Sequence, residues 1–439
     1  MGYTQMTPIQ AAALPVALTG RDVTGQAKTG SGKTASFGLA LLSRIDEGLS
    51  RTQALVLCPT RELADQVAAE LRRLSQRMHK TRVLTVCGGQ PYYDQKVGLK
   101  KGCHVVVGTP GRVGNHLEKG HLDARALKVL VLDEADRILD MGFIEQVTEI
   151  VRMCPQQRQT LLFSATFPKA ISRLCASIQS DAEFVSVDAQ VDHSTLQQRV
   201  VRCPPGERNQ AIVRLLAAYR PGQALVFCET RRDCDTIARF LSDRGAVALP
   251  LHGLMEQRDR DDAILRFSNG SACILVATNV AARGIDIPSL PLVVIAEVSP
   301  NPESHVHRIG RTGRAGEAGL AVSVVCSKSE EIRLERIEAE MGVSIKEQSV
   351  PETSGGLGFM TPAVQTLLLL SGRKEKLRKG DVIGALVKDG GIPFDAIGQI
   401  DLTDRTCAVA IANEYASKAL RYVKHGRIKK MKVRAQLLR

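Results

Sequence analysis

Tryptophan is absent from the 439 residues, and aromatic side chains make up only 4% of them. A nucleic-acid surface built mainly on stacked rings is therefore not expected; any such surface would rest on backbone amides and charge. No Cys-x-x-Cys pair occurs among the eleven cysteines, and Cys58 and Cys228 sit inside strand-like apolar runs. This argues against a zinc module and fits reduced, buried thiols. No apolar run approaches the roughly 18 residues of a membrane span, and Leu367–Leu370 is far too short. The first residues lack the basic-then-apolar order of a secretory leader. A cytoplasmic protein without a membrane anchor is the expectation.

Positive charge is plentiful, and it is unevenly placed. Lys and Arg total 59 against 46 acidic residues, a formal net charge of +13. The stretch from Gly372 to Arg439 holds 16 basic and 7 acidic side chains, an excess of nine, which leaves +4 for everything before it. A compact basic tail points to a polyanionic partner. Hydrophobic residues reach 44%, enough for packed cores. The length suits about three domains.

The sequence repeats itself once. Gln53-Ala54-Leu55-Val56-Leu57-Cys58-Pro59-Thr60-Arg61 recurs, 170 positions later, as Gln223-Ala224-Leu225-Val226-Phe227-Cys228-Glu229-Thr230-Arg231. Val107-Gly108-Thr109 recurs 169 positions later as Val276-Ala277-Thr278. Two segments in the same order at nearly the same offset predict a duplicated domain. In each copy short continuous apolar runs, such as Val129–Leu132, Thr160–Phe163, Cys273–Val276 and Leu292–Ile295, alternate with helical patterns. Runs apolar on both faces suit parallel strands buried between helix layers, so each copy is predicted to be a doubly wound α/β domain. Ligands are then expected at the carboxyl ends of the strands.

Polar residues near 186–200 and the glycines near 346–371 read as linkers, giving domains over 1–187, 200–346 and 372–439. The last piece is predicted to run strand (Lys374–Arg378), helix (Asp381–Lys388), strands (Ile397–Leu402 and Thr406–Ile411), helix (Asn413–His425), strand (Lys432–Leu437). That order is a ferredoxin-like α+β sandwich, the architecture of many RNA-recognition domains.

Ala27-Lys28-Thr29-Gly30-Ser31-Gly32-Lys33-Thr34 is a phosphate-binding loop, with Ala27 where the general pattern has Gly. Its glycines let backbone N–H groups face phosphate oxygens, and the following helix adds its N-terminal dipole. Lys33 is expected to reach the β- and γ-phosphates of ATP, and Thr34 to ligate Mg²⁺. Asp133-Glu134-Ala135-Asp136 follows the strand Val129–Leu132. A carboxylate there, Asp133, would hold the Mg²⁺ largely through water, and Glu134 would accept a proton from the attacking water. In the second copy, His307-Arg308-Ile309-Gly310-Arg311-Thr312-Gly313-Arg314 offers Arg311 and Arg314 as guanidinium groups able to reach a γ-phosphate.

Taken in order, Gln10, the phosphate loop, Pro59-Thr60-Arg61-Glu62-Leu63-Ala64, Gly88-Gly89, Thr109-Pro110-Gly111-Arg112, Asp133–Asp136, Ser164-Ala165-Thr166, Ala282–Asp286 and His307–Arg314 resemble the DEAD-box RNA helicases. The resemblance covers essentially the whole chain. Its C-terminal part, from Gly380-Asp381-Val382-Ile383-Gly384 onward, looks like the RNA-binding domain of the DbpA subgroup, which acts on 23S rRNA during large-subunit assembly. The resemblance implies two RecA-like domains, an RNA-stimulated ATPase that unwinds RNA locally, a monomer, and a 23S rRNA hairpin as target. It also implies that Gln10 reads adenine, Asp286 accepts a ribose hydroxyl, and Ser164 and Thr166 couple hydrolysis to closure of the two domains. RNA contacts would come from Thr60, Arg61, Gly89, Thr109 and Arg112 in the first domain. In the second they would come from Gln257, Arg260, Thr278, Arg283 and Gly284. The tail would contribute Arg373, Lys374, Lys376, Arg378, Lys429, Lys430 and Lys432.

Three departures from the family's pattern stand out. Leu254 follows His252-Gly253 where relatives have Asp, Asn279 follows Thr278 where Asp is usual, and the Thr406–Ile411 strand lacks stacking aromatics. An ATP-gated RNA clamp with little unwinding is the alternative reading.

Overall fold

The computed structural model describes residues 5–27, 31–187, 196–282, 290–313, 318–352 and 356–438. Contacts divide them into two compact units, 5–187 and the remainder. The first unit is built on β1 (Val23–Gln26), β2 (Ala54–Leu57), β3 (Val83–Val86), β4 (Val105–Gly108), β5 (Val129–Asp133), β6 (Gln159–Ser164) and β7 (Glu183–Ser186). The order across the sheet is β3-β4-β2-β5-β6-β1-β7, and every pairing is parallel.

The continuous apolar runs explain this sheet. Ala54 and Val56 of β2 pack with Phe37, Leu41 and Leu71 on one face. Leu55 and Leu57 pack with Val113, Ile138 and Ile150 on the other. Successive strand residues point to opposite faces, so a strand covered by helices on both sides must be apolar at every position. Each fully buried Val or Leu adds about 1.5–3 kcal/mol relative to exposure.

The second unit begins with β8 (Leu196–Arg202), followed by β9 (Ala224–Cys228), β10 (Ala248–Leu251), β11 (Ile274–Thr278), β12 (Leu292–Ile295), β13 (Gly319–Val325) and β14 (Lys346–Glu347). Their order, β10-β11-β9-β12-β13-β8-β14, repeats the first sheet strand for strand. The sequence repeat falls on the β2 and β9 junctions. Thr60 and Thr230 each cap the next helix, accepting from Leu63 N and Asp233 N respectively. The second sheet takes in Leu196 at one end and Glu347 at the other, both beyond the 200–346 expected for that domain.

The C-terminal sheet holds β15 (Val364–Leu369), β16 (Ile397–Leu402), β17 (Cys407–Ala412) and β18 (Ala435–Leu438), in the order β16-β17-β15-β18 and antiparallel throughout. Helices Lys379–Gly384, continued by a π-helical turn Ala385–Asp389, and Asn413–His425 cover one face. This is the expected ferredoxin-like topology with its first strand corrected. Lys374–Arg378 is not a strand: Arg373–Glu375 forms a 3₁₀ turn and Lys376 has φ +58°. A Cβ on Gly372 would lie 2.5 Å from backbone atoms of Thr403, Asp404 and Arg405, so the chain turns tightly against that loop. The strand is Val364–Leu369, whose Thr366, Leu367, Leu368 and Leu369 are buried. The domain therefore starts ahead of residue 372.

The segment before β15 belongs to the second sheet's core. Leu357 and Met360 are buried there, with Leu357 N donating to Arg244 O at 2.7 Å and Val247 N to Met360 O at 3.2 Å. Thr366 Oγ1 in turn meets Asn269 Nδ2 at 2.8 Å and Ser271 Oγ at 2.6 Å.

Candidate nucleotide and nucleic-acid site

In a parallel sheet the loops after each strand gather at one edge. In the first unit the expected nucleotide residues follow β1, β5 and β6, which are adjacent, and the expected RNA residues follow β2, β3 and β4, adjacent on the other side. The edge is thus divided between two chemistries.

Gly32 caps helix Lys33–Ser43 with φ +90°, and a Cβ there would meet Gln10 Nε2 at 2.6 Å. Lys33 is buried and donates from Nζ to Ala27 O at 2.9 Å. Ala27 N is in turn held by Ser164 O at 3.0 Å. Ser31 and Thr34 are half-buried at the helix start. Such a helix N-terminus presents unpaired amides and a positive dipole end to an anion. Gln10 packs on this loop: its Oε1 accepts from Thr7 N at 2.9 Å and its Nε2 donates to Gly32 O at 3.1 Å. Thr29 and Gly30 lie outside the described residues.

Asp133 ends β5 with its Oδ1 buried and without a hydrogen-bond partner among the described residues. Burial raises the Asp133 carboxyl above the usual carboxylate range; the Lys33 ammonium partly offsets this and the Glu134 carboxylate adds to it. An unsatisfied buried carboxylate beside a second one suits a cation. The residues present therefore fit Mg²⁺. Glu134 adopts φ +54°, a strained conformation for a non-glycine residue, and is held by Arg137 Nη1 at 2.5 Å.

Asp136, to which sequence reasoning gave no role, ties the acidic turn to Ser164-Ala165-Thr166. Its Oδ2 accepts from Ala165 N at 3.2 Å, Thr166 N at 3.0 Å and Thr166 Oγ1 at 3.2 Å. Ser164 Oγ accepts from Asp136 N at 3.1 Å and donates to Thr166 O at 2.7 Å.

On the other half of the edge, Thr60 is buried as a helix cap, Arg61 pairs with Asp65 at 3.5 Å, and Gly89 has φ +71°. Gly88 N donates to Thr109 Oγ1 at 3.4 Å. Sequence reasoning also missed Gln95. Its Nε2 donates to Cys87 O at 2.8 Å, and its Oε1 accepts from Arg112 Nη1 at 3.2 Å. One buried carboxamide thus fixes both the Gly88-Gly89 loop and Arg112. Gln95 Oε1 also meets His116 Nε2 at 3.1 Å, and burial among cations lowers His116 to about 4. His116 is then the neutral Nε2–H tautomer and donates to Gln95.

In the second unit Gln257 opens a helix and donates from Nε2 to Asp261 Oδ1 at 2.9 Å, Arg260 lies one turn on, and Thr278 ends β11. Arg308 is sealed in: it donates from Nε to Asn279 Oδ1 at 2.6 Å, from Nη1 to Glu297 O at 2.7 Å, and from Nη2 to Glu229 Oε1. The amide oxygen at position 279 supplies the acceptor that Asp would, which explains why Asn is tolerated. Arg311 is buried; its backbone carbonyl accepts from Leu290 N at 3.1 Å. Leu254 is 71% exposed. Arg283, Gly284, Asp286 and Arg314 lie outside the described residues.

In the tail Arg373, Lys374, Lys376, Arg378, Lys429, Lys430 and Lys432 are all exposed. Lys429 Nζ donates to Lys376 O at 2.9 Å and to Asp381 Oδ2 at 3.3 Å, which brings the 373–378 and 428–432 segments side by side. Two basic stretches more than 50 residues apart in sequence form one patch.

Known families and structures match this architecture. The DEAD/DEAH box helicase family matches residues 7–174, the helicase conserved C-terminal domain 207–316, and the DbpA RNA binding domain 366–437. The last begins inside β15, in keeping with the corrected first strand. ATP-dependent RNA helicase DbpA of Escherichia coli is 47% identical over 439 residues, covering 100% of this chain and 96% of that protein. ATP-dependent RNA helicase DbpA of Bacillus subtilis is 35% identical, covering 98% of this chain and 94% of that one. Among solved structures, Saccharomyces cerevisiae Dbp5 bound to RNA and ADP BeF3 matches with TM-score 0.73 and 29% identity, over 79% of this chain and 91% of that one. Among the described residues no helix is long and apolar enough to cross a membrane.

Proposed function

The chain belongs to the DEAD/DEAH box ATP-dependent RNA helicases, in the group that carries the DbpA RNA-binding domain, and we propose that it hydrolyses ATP when RNA is bound and uses the cycle to separate short RNA pairings. One observation carries this reading. A phosphate-type helix N-terminus beside a buried Asp133-Glu134 pair shares a sheet edge with loops suited to an RNA backbone.

In this reading the amides around Gly32 and Lys33 hold the phosphates of ATP, and Gln10 selects adenine. Thr34 and Asp133 would hold Mg²⁺, which when bound neutralises phosphate charge. Glu134, oriented by Arg137, takes the proton of the attacking water. Arg311 and Arg314 complete the γ-phosphate site from the second domain, and Asp286 binds the ribose. Thr60, Gly89, Thr109 and Arg112 hold RNA phosphates and riboses without reading sequence. Arg61 and, from the second domain, Gln257, Arg260, Thr278, Arg283 and Gly284 join them. ATP and RNA each favour the closed state, so each strengthens binding of the other. Asp136, Ser164 and Thr166 transmit hydrolysis to that closure.

The exposed basic patch Arg373, Lys374, Lys376, Arg378, Lys429, Lys430 supports RNA as the tail's ligand. We assign it a 23S rRNA hairpin of large-subunit precursors in the cytoplasm, with the protein acting as a monomer. The test is phosphate release and strand separation by the full chain, with a duplex placed beside that hairpin. RNA-stimulated hydrolysis with strand separation is expected. Stimulation without separation would favour a clamp, and equal rates with an unrelated hairpin would remove the 23S assignment.

A further inference from the structure

In the second sheet β8 and β13 pair in register from Leu196–Gly319 to Arg202–Val325. The ladder runs one step further: Cys203 N donates to Val325 O at 3.0 Å, which sets Cys203 opposite Cys326. Neighbouring strands lie about 4.8 Å apart, inside the roughly 4.4–6.8 Å between Cα atoms that a disulfide spans. The two Sγ atoms approach to 2.8 Å. Strand register thus joins two cysteines 123 positions apart in the chain.

Access separates this pair from the other thiols. Cys203 is half-buried, whereas Cys326 is 7% exposed. Cys228 and Cys234 also lie together, but both are buried. Cys175, the other half-buried thiol, lies beside Thr24. In the Cys203–Cys326 pair one sulfur meets solvent and the second stands directly behind it. Burial, followed by the bond to Cys203, raises the Cys326 thiol to about 12, so Cys326 keeps its proton. Its backbone is fixed: Cys326 N donates to Glu330 Oε2 at 3.0 Å, and Arg208 holds that carboxylate at 2.9 and 3.0 Å. A reactive outer thiol with a second thiol in reach is the arrangement of a peroxide-responsive site.

We propose that Cys203 and Cys326 form a dithiol site that hydrogen peroxide oxidises to a reversible disulfide across β8 and β13. The Cys203 thiolate attacks one peroxide oxygen and the O–O bond breaks. Hydroxide leaves and takes up the proton that Cys203 gave to solvent, making one water. Cys203 is then a sulfenic acid. The Cys326 sulfur attacks it, the S–O bond breaks, and the Cys326 proton leaves with the departing hydroxide as a second water. The two thiols lose two electrons and one peroxide gains them. An added dithiol reductant reverses the step by exchange. The sulfurs close from 2.8 Å to about 2.05 Å, so the sheet keeps its form. Without Cys326 the sulfenic acid would go on to sulfinic acid, which such a reductant does not restore. The bond also ties together residues far apart in the chain, which constrains the unfolded state.

The test is oxidation of the full chain by one equivalent of hydrogen peroxide, followed by alkylation and peptide mapping. Two of the eleven thiols should be lost, one peptide should carry a Cys203–Cys326 crosslink, and dithiothreitol should restore all eleven. Cys203→Ser should keep its remaining thiols under the same exposure. Cys326→Ser should lose a single thiol and, at excess peroxide, carry sulfinic acid on Cys203. Oxidised wild type should unfold at a higher denaturant concentration than the reduced form, and Cys203→Ser should show no such rise. The wild-type map is read without reliance on the variants folding. A crosslink at another pair, or Cys203 passing to sulfinic acid in the wild type with no crosslink, overturns the proposal. So does thiol loss that is unchanged in Cys203→Ser.

Discussion

The Asp136 carboxylate holds Thr166 twice, through the Thr166 amide at 3.0 Å and its hydroxyl at 3.2 Å. A bond from a hydroxyl to a charged acceptor contributes roughly 1.5–3 kcal/mol. Thr166→Ala removes it while the amide bond keeps the loop in place. Steady-state hydrolysis by Thr166→Ala should stay within a few-fold of wild type, and duplex separation per ATP should fall about tenfold. Parallel loss of both rates would mean that Thr166 serves the chemical step instead.

Gln95 and Arg112 give a second prediction. Gln95→Ala releases Arg112 and the Gly88-Gly89 loop together. The RNA concentration for half-maximal stimulation should rise about tenfold, with kcat at saturating RNA unchanged, as for loss of uniform binding. Gln95→Glu keeps an acceptor for Arg112 but cannot donate to Cys87 O, so it should recover only the part of the affinity that Arg112 carries. A fall in kcat with no change in RNA dependence would contradict this placement.

The corrected first strand of the tail changes how the domain should be cut. Ending the chain at residue 371 leaves β15 without its partners β17 and β18 and exposes Leu367 and Leu369. Ending it at residue 361 removes β15 and retains Leu357 and Met360 in the second sheet's core. The 361 form should stay monodisperse and keep RNA-stimulated hydrolysis without preference for the 23S hairpin. The 371 form should aggregate, because an unpaired apolar strand is an edge for association. Light scattering on both forms checks this.

Stability should fall on mild acidification. Burial, reinforced by Arg308, lowers His305 to about 4. The unfolded chain takes up that proton near pH 6.5, so the unfolded state binds more protons between about 6.5 and 4. Stability therefore declines as pH falls through this window, by at most ~1.4 kcal/mol per pH unit from this residue. Denaturant midpoints from pH 7 to 5 should show the slope, and His305→Gln should reduce it. An unchanged slope in that variant would mean that other groups set it.

The sheet layout was legible because strands covered on both faces must be apolar throughout, and the second sheet's order was legible because the repeat carries the β2–helix junction with its capping threonine. The nucleotide residues were legible for a related reason: phosphate chemistry demands Gly, Lys and carboxylates at fixed places after strands. Partnerships across distance were hidden. Gln95 reaches Arg112 17 positions away, and Arg308 reaches Glu229 79 away. Nothing local marks either glutamine or arginine as buried. The first tail strand was hidden by the Pro351–Gly358 stretch before it, which reads as linker although Leu357 packs into a core. Alternating charges at Lys374–Arg378 mimicked a strand where Gly372 forces a turn.

Phosphate release by the full chain, with and without RNA, for wild type and Glu134→Gln, bears most directly on the claim that hydrolysis at the Asp133-Glu134 turn is governed by RNA. Wild type should release phosphate slowly alone and much faster with RNA, and Glu134→Gln should bind ATP and RNA together yet release almost none. Wild-type turnover indifferent to RNA, or a Glu134→Gln rate equal to wild type, would contradict it.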